Sequence, residues 1–391
     1  MKDFLRFFGG RLLRSLITLL LFQVVLFSLI KALPENIPEV ELALSARENL
    51  SEVMASSGRS DTPAWQQLLN WMTGFYGGDL GESRSPGSAA VMDILATRLP
   101  RTLMLLLPAT AAGFLLGNAL GKRVAWRRRS WLGSLATIGG TAFYTSFPPW
   151  LAFVMVNAFG LSLNWFPPEK LIDPMKWAFQ DLTLNAVIIR LLLTMATVGI
   201  AYLGLVWLTR KRAQINPYLR PLGGLAIVAI AVIAWAVSGI GVLALDILYH
   251  LVLPLATLTL LSFGETMLVM KTMMSETVGS EYVKAAHAKG LRESRVRDSH
   301  AARVAIIPVL SRFIVHLPYV IIGSFVLEHV FFWDGMGQEL VRAANENDLP
   351  VILGVLSMVG IGILLSHLIF DVLTVWLDPR LRGLAQAERT F

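Results

Sequence analysis

Eight long apolar stretches, near residues 12–31, 102–120, 132–159, 184–208, 222–244, 249–270, 305–330 and 351–377, constrain this chain more than anything else in it. A helix needs about 20 predominantly apolar residues to cross the hydrocarbon core of a bilayer, where every backbone polar group must be satisfied internally. The expected class is therefore an all-α polytopic membrane protein with about eight transmembrane helices. Composition supports it: 55% of the 391 residues are hydrophobic and 16% are charged, too little polar surface for a soluble globule of this length.

An even number of crossings puts both ends on one side. With the N-terminus inside, the inside segments hold 23 of the 34 Lys and Arg residues, including Lys122 to Arg129, Arg210 to Arg212 and seven between Lys271 and Arg303. The outside loops hold nine, although the first of them is the longest in the chain. The positive-inside rule then predicts that both termini are cytoplasmic. The net charge of +7 reads as a topology signal, and no nucleic-acid partner is expected. The first apolar run ends at Lys31-Ala32-Leu33-Pro34 without a small-x-small cleavage site, so residues 1–33 are expected to stay as a transmembrane helix. Residues 34–98 are mostly polar, with turn-forming Gly77-Gly78-Asp79-Leu80-Gly81, and are expected to form a small extracytoplasmic domain.

The chemistry-bearing residues do not form a catalytic site. Gly117-Asn118-Ala119-Leu120-Gly121-Lys122-Arg123 is one residue short of phosphate-loop spacing and has Arg where the magnesium-binding hydroxyl belongs. Ala109, Gly113, Gly117 and Gly121 recur every fourth residue, which points to close helix packing. There is no cysteine, and no two of the six histidines have a spacing that places both imidazoles on one helix face, so no metal is expected. Met267, Met270, Met273 and Met274 make a stripe suited to filling core space. Glu265 and Arg190 are ionisable residues well inside apolar stretches, a costly placement that points to pairing or to function. The run 305–330 is interrupted by Arg312, His316, Pro318 and Glu328, residues tolerated where a helix faces protein or a wet cavity. Glu265, Arg312 and His316 are thus the pathway candidates.

Residues 271–304 form a polar segment between two crossings and read as a docking handle for a soluble partner. Ser280 is placed to cap a short helix, Glu281 suits its first turn, Lys289 its last, and Gly290 the left-handed position that ends it. Ala285, Ala286 and Ala288 keep the rod thin, while Tyr282, Val283 and Leu291 supply anchors. The expected docking set is Glu281, Tyr282, Val283, Ala285, Ala286, Lys289, Gly290 and Leu291.

Ala285-Ala286, Gly290 and then His300 resemble the EAA loop of permeases from binding-protein-dependent ABC importers. Lys284 replaces the motif's Glu, and His300-Ala301-Ala302-Arg303 resembles the dipeptide, oligopeptide and nickel permease subclass, which usually has Asn where this chain has Val304. Similar short motifs run in order along the chain: Gly78-Asp79-Leu80-Gly81, Arg98-Leu99-Pro100, Trp165-Phe166-Pro167, Leu253-Pro254, Trp333-Asp334-Gly335-Met336-Gly337, Asp348-Leu349-Pro350 and Leu377-Asp378-Pro379-Arg380. Residues 251–382 match the subclass pattern without gaps, whereas about 80 residues between Pro168 and Leu253 have no counterpart in it and supply an inserted helix pair, about 169–248.

The resemblance implies a type I ABC importer transmembrane fold over residues 99–382, with coupling loop 271–304 and a cytoplasmic tail from 383 to 391. It implies a permease subunit in a prokaryotic inner membrane, paired with a second homologous permease, two ABC ATPase subunits and an extracytoplasmic substrate-binding protein. ATP and Mg would be bound by the ATPases, and no cofactor by this chain. Cargo within the subclass spans peptides, nickel and other small solutes, and Glu265 points to a cationic group. A secondary transporter is the alternative, though no inverted repeat supports it; a membrane scaffold recruiting a soluble partner is another.

Overall fold

A computed structural model describes residues 2–32, 62–85, 89–127, 130–178, 182–209 and 218–377. The described residues are overwhelmingly helical, and their one β feature is an isolated bridge between Glu82 and Ala90. The helices are α1 (Lys2–Ala32), α2 (Ala64–Gly77), α3 (Val91–Trp126), α4 (Trp131–Thr145), α5 (Pro148–Met155), α6 (Pro174–Trp177) and α7 (Leu184–Leu208). They continue with α8 (Leu219–Val237), α9 (Gly241–Val278), α10 (Glu281–Ala288), α11 (Glu293–Arg295), α12 (Ala302–Val330), α13 (Met336–Asn345) and α14 (Leu349–Leu377). Seven described helical segments are long and apolar enough to cross a membrane.

The eighth expected crossing, 132–159, is not one continuous helix. Ser146 and Phe147 are extended, and Pro148 and Pro149 open α5 at the positions where a missing N–H costs nothing. α5 then widens into a π-helical turn over Val156–Ser162. The stretch therefore consists of two helical pieces, each shorter than a full span. The expected break between residues 244 and 249 also moves: the chain turns at Ser238 and Gly239, where Gly239 has φ +74°, and α9 starts at Gly241.

The chain divides into two compact units, Met1–Ala96 with Glu339–Phe391, and Thr97–Gln338. In the first, α1 packs on α14 through Leu26, Phe27, Ile30 and Leu353, and Gly360 lets the Phe22 ring lie against the α14 backbone. The polar segment before α3 is tied to the start of α14: the Ser83 hydroxyl donates to the Asp348 carboxylate, as does the Arg84 N–H at 3.0 Å. Of the expected extracytoplasmic domain, residues 34–61 and 86–88 lie outside the described residues. The described remainder is α2, this turn and the first residues of α3.

In the second unit α9 is the central element, packed against both α4 and α12. Its most apolar window is 50% buried, against 0% for α8, so α9 is core and α8 is peripheral within this chain. Gly113 approaches Ser262, and a Cβ at Gly117 would lie 2.7 Å from Thr266 Cβ and one at Gly121 2.7 Å from the Met267 carbonyl. The small-residue stripe is the contact face of α3 on α9, and the near-match to a phosphate loop lies wholly inside α3. The methionine stripe is core as well, with Met267, Met270 and Met274 fully buried. The segment around α6 is fastened to α9 at Asp246, whose carboxylate accepts from the Asp173 N–H (3.0 Å), Lys176 Nζ (2.9 Å) and Trp177 Nε1 (3.0 Å). Hydrogen bonding to Asp246 raises the Lys176 ammonium above the ordinary lysine range. After α12, Trp333 Nε1 donates to the Arg101 carbonyl at 2.9 Å, and Asp334 pairs with Arg98 and Arg101. A Cβ at Gly335 would meet the Glu328 carboxylate at 2.6 Å, which explains a glycine there.

Candidate functional site

The docking segment is built from a short helix on a buried base. α10 has eight residues, about 12 Å at 1.5 Å per residue. Gly290 ends it at φ +70° with open space around its missing Cβ, so conformation and not crowding selects glycine. Ser280 occupies the N-cap position with extended backbone, but its hydroxyl does not cap. It donates back to the Thr277 carbonyl at 2.6 Å, and the first turn rests on the Ser280 carbonyl accepting from the Val283 and Lys284 N–H groups. Glu281 and Lys284 pair at 2.8 Å on the exposed surface, a contact worth little in stability.

The expected docking set splits in two. Val283 and Ala286, three residues apart on one face, are 1% and 5% exposed and pack with Met270 and Met274 of α9, Ala125 of α3, and Val296, Ala301 and Ala302 leading into α12. Leu291 is half-buried against the same cluster. All three belong to the expected docking set, Val283 and Leu291 as its anchors; here they pack on the chain itself, which supplies the cover that an apolar face this short requires. Glu281, Tyr282, Ala285, Lys289 and Gly290 remain exposed, with Lys284 and Ala288 beside them. A stacked Trp126 and His287 pair, ring centroids 5.9 Å apart, adds a contact between α3 and α10 that no local sequence signal announces.

The three pathway candidates come together. Glu265 Oε1 lies 3.1 Å from Arg312 Nε, and Oε2 lies 2.7 Å from His316 Nδ1. The Glu265 side chain is 8% exposed while that of Arg312 is 58% exposed, so the acid is sunk between α9 and α12 and the guanidinium reaches outward. His316 stacks on Tyr319 at 5.4 Å and faces Tyr144 at 6.2 Å. Arg312, His316 and Tyr319 follow the i, i+4, i+7 spacing of one helix face, so Tyr319 was readable from its position; Tyr144, on α4, was not. The pairing removes the argument from Glu265 to a cationic cargo, since the chain's own Arg312 and His316 face that carboxylate. Arg190, the other ionisable residue singled out in an apolar stretch, is 75 positions from Glu265 and belongs to α7. Among the described residues there is no group of three or more His, Asp or Glu able to hold a metal ion.

Comparison with known proteins adds an independent line. Residues 111–383 match the family described as the binding-protein-dependent transport system inner membrane component. The chain is 24% identical over 377 residues to the oligopeptide transport system permease protein of Bacillus subtilis, covering 95% of this chain and 97% of that one. It is 27% identical over 378 residues to a putative peptide transport system permease protein of Brucella abortus, covering 95% and 97%. It is 26% identical over 369 residues to the dipeptide transport system permease protein of Escherichia coli, covering 94% of each.

Proposed function

The chain belongs to the binding-protein-dependent transport system inner membrane component family and is a multi-pass permease subunit of an ABC importer, and from this premise we propose how it meets its partners and what it carries. The transport subunit itself has no catalytic role. It works with a second homologous permease, two ABC ATPase subunits that hold ATP and Mg, and a substrate-binding protein on the opposite side of the membrane. Both termini and residues 271–304 face the ATPases, as the distribution of basic residues supports. The cargo is short peptides, the class named for the relatives in Bacillus subtilis and Escherichia coli.

One observation carries the coupling assignment: α10 presents Tyr282, Ala285 and Lys289 outward while Val283 and Ala286 seat it on residues of both α9 and the segment entering α12. A push on the outer face is thus delivered to two crossings at once. Glu265 lies five residues before Met270, so the link from α9 to Arg312 and His316 of α12 falls about one and a half turns deeper along the same lever. Arg312, His316 and the 68% exposed Tyr319 form the polar face of α12 that a solute in transit meets. ATP-driven closure of the partners biases the helices between outward and inward openings, so this chain contributes mechanical coupling.

The test is reconstitution of the whole importer in proteoliposomes with Ala285→Trp, a bulky change on an exposed position. The expected result is a loss of at least tenfold in ATPase association and peptide uptake; unchanged association and uptake would refute the docking face. Mass analysis of the ligand copurifying with the binding protein is expected to show peptides, and a non-peptide solute would overturn the cargo assignment.

A further inference from the structure

The inserted helices α7 and α8 hold a feature that coupling does not use. They run antiparallel, registered by a hydrogen bond from Trp235 Nε1 to Thr194 Oγ1 at 3.1 Å. Between them lies an open groove of about 510 Å³, lined with Val198, Ala201, Ile227 and Ala231 and headed by Arg190. From Arg190 to Ala201 the groove follows α7 for about 16 Å, the reach of a long acyl chain. Arg190 is six residues into α7, about 9 Å from its start, near the interface and not at the midplane. Among the described residues its guanidinium has no hydrogen bond and no ion pair, and no carboxylate lines the groove.

We propose that this groove is a phospholipid-binding site, with the lipid phosphate on Arg190 and one acyl chain lying between α7 and α8. A cation at interfacial depth needs an anion there, and guanidinium matches phosphate oxygens in a bidentate fork. The apolar length below it needs an unbranched apolar partner, and a phospholipid supplies both in one molecule. A transmembrane helix from another protein would have to bring an acidic residue to the same depth. The Trp235 indole beside the head of the groove suits the same interfacial layer. The site gives the inserted pair a purpose: a bound lipid fills the seam of a helix pair whose second member has no buried residue of its own.

The test is native mass spectrometry of the assembled importer in mild detergent, using dioleoylphosphatidylglycerol as the probe, with dioleoylglycerol and inorganic phosphate as separate arms. The wild type should retain one phospholipid per permease chain after washing. Arg190→Gln and Ala231→Phe, which fills the groove, should each lower retention at least tenfold, while Ile233→Phe, on an exposed position outside the groove, should not. Dioleoylglycerol should be held at least tenfold less well, and inorganic phosphate should not compete. Equal retention in wild type, Arg190→Gln and Ala231→Phe would overturn the proposal, as would equal retention of dioleoylglycerol, displacement by inorganic phosphate, or a polypeptide photo-crosslinked into the groove in place of lipid.

Discussion

Glu265 shows what a single buried acid does when its partners are uneven. Its own side chain is sunk between two helices, Arg312 is more than half exposed, and His316 lies between those extremes. Removing Arg312 leaves the acid buried with one partner, whereas removing Glu265 leaves an arginine that water can solvate. Arg312→Gln should therefore destabilise the solubilised importer more than Glu265→Gln, and the double variant should recover about 1 kcal/mol relative to additivity, read by denaturation and by uptake. Additive effects would mean that the pair does not interact. At this scale legibility followed sequence distance. Gly290 was readable because a helix that must stop needs a left-handed residue at that position, and φ there is +70°. The partners of Glu265, 47 and 51 positions away, depend on how α9 and α12 pack, and no local pattern encodes that. Ser280 was half legible: its position fits a cap, but its hydroxyl found the Thr277 carbonyl instead.

Among elements, the decisive contact is α3 on α9, where glycines bring one helix against the other. A β-branched side chain at Gly117 meets the Thr266 side chain and the Met267 backbone N–H, neither of which can yield without moving a helix. Gly117→Val should cost about 1–3 kcal/mol and lower the yield of folded importer, whereas Gly199→Ala, with nothing within 4 Å, should be silent in the same thermal-shift measurement. Equal loss from both would rule out the α3–α9 contact as the cause, since helix propensity favours both replacements over Gly. The fourfold repeat of small residues made this contact visible in the sequence, though not which helix it meets. Apolar runs located the crossings but measured only their hydrocarbon portion. α3 begins at Val91 and α9 continues to Val278, because polar ends extend a helix beyond the membrane. The break at Pro148 lay in plain view but sat inside a run apolar enough to mask it.

On the function proposed above, the whole molecule is a membrane unit that transmits motion and depends on other chains for energy and cargo. Its class was legible because a bilayer imposes length rules on any chain that crosses it. The role of α7 and α8 was not, because a helix with no residue buried in its own chain, as α8 is, carries few position-specific demands. The short helix after Ser280 was legible from its end signals, but not that Val283, Ala286 and Leu291 turn inward onto the chain itself. The chain contains no cysteine, so one introduced thiol is a unique label on it. The most direct test places a thiol-anchored photo-crosslinker at Ala285→Cys or at Val283→Cys in the active, reconstituted importer. A permease–ATPase adduct is expected from position 285, in a yield that changes with ATP, and at least tenfold less from the buried position 283. No adduct from 285 in a transporter that still takes up peptide, or equal adducts from both positions, would contradict it.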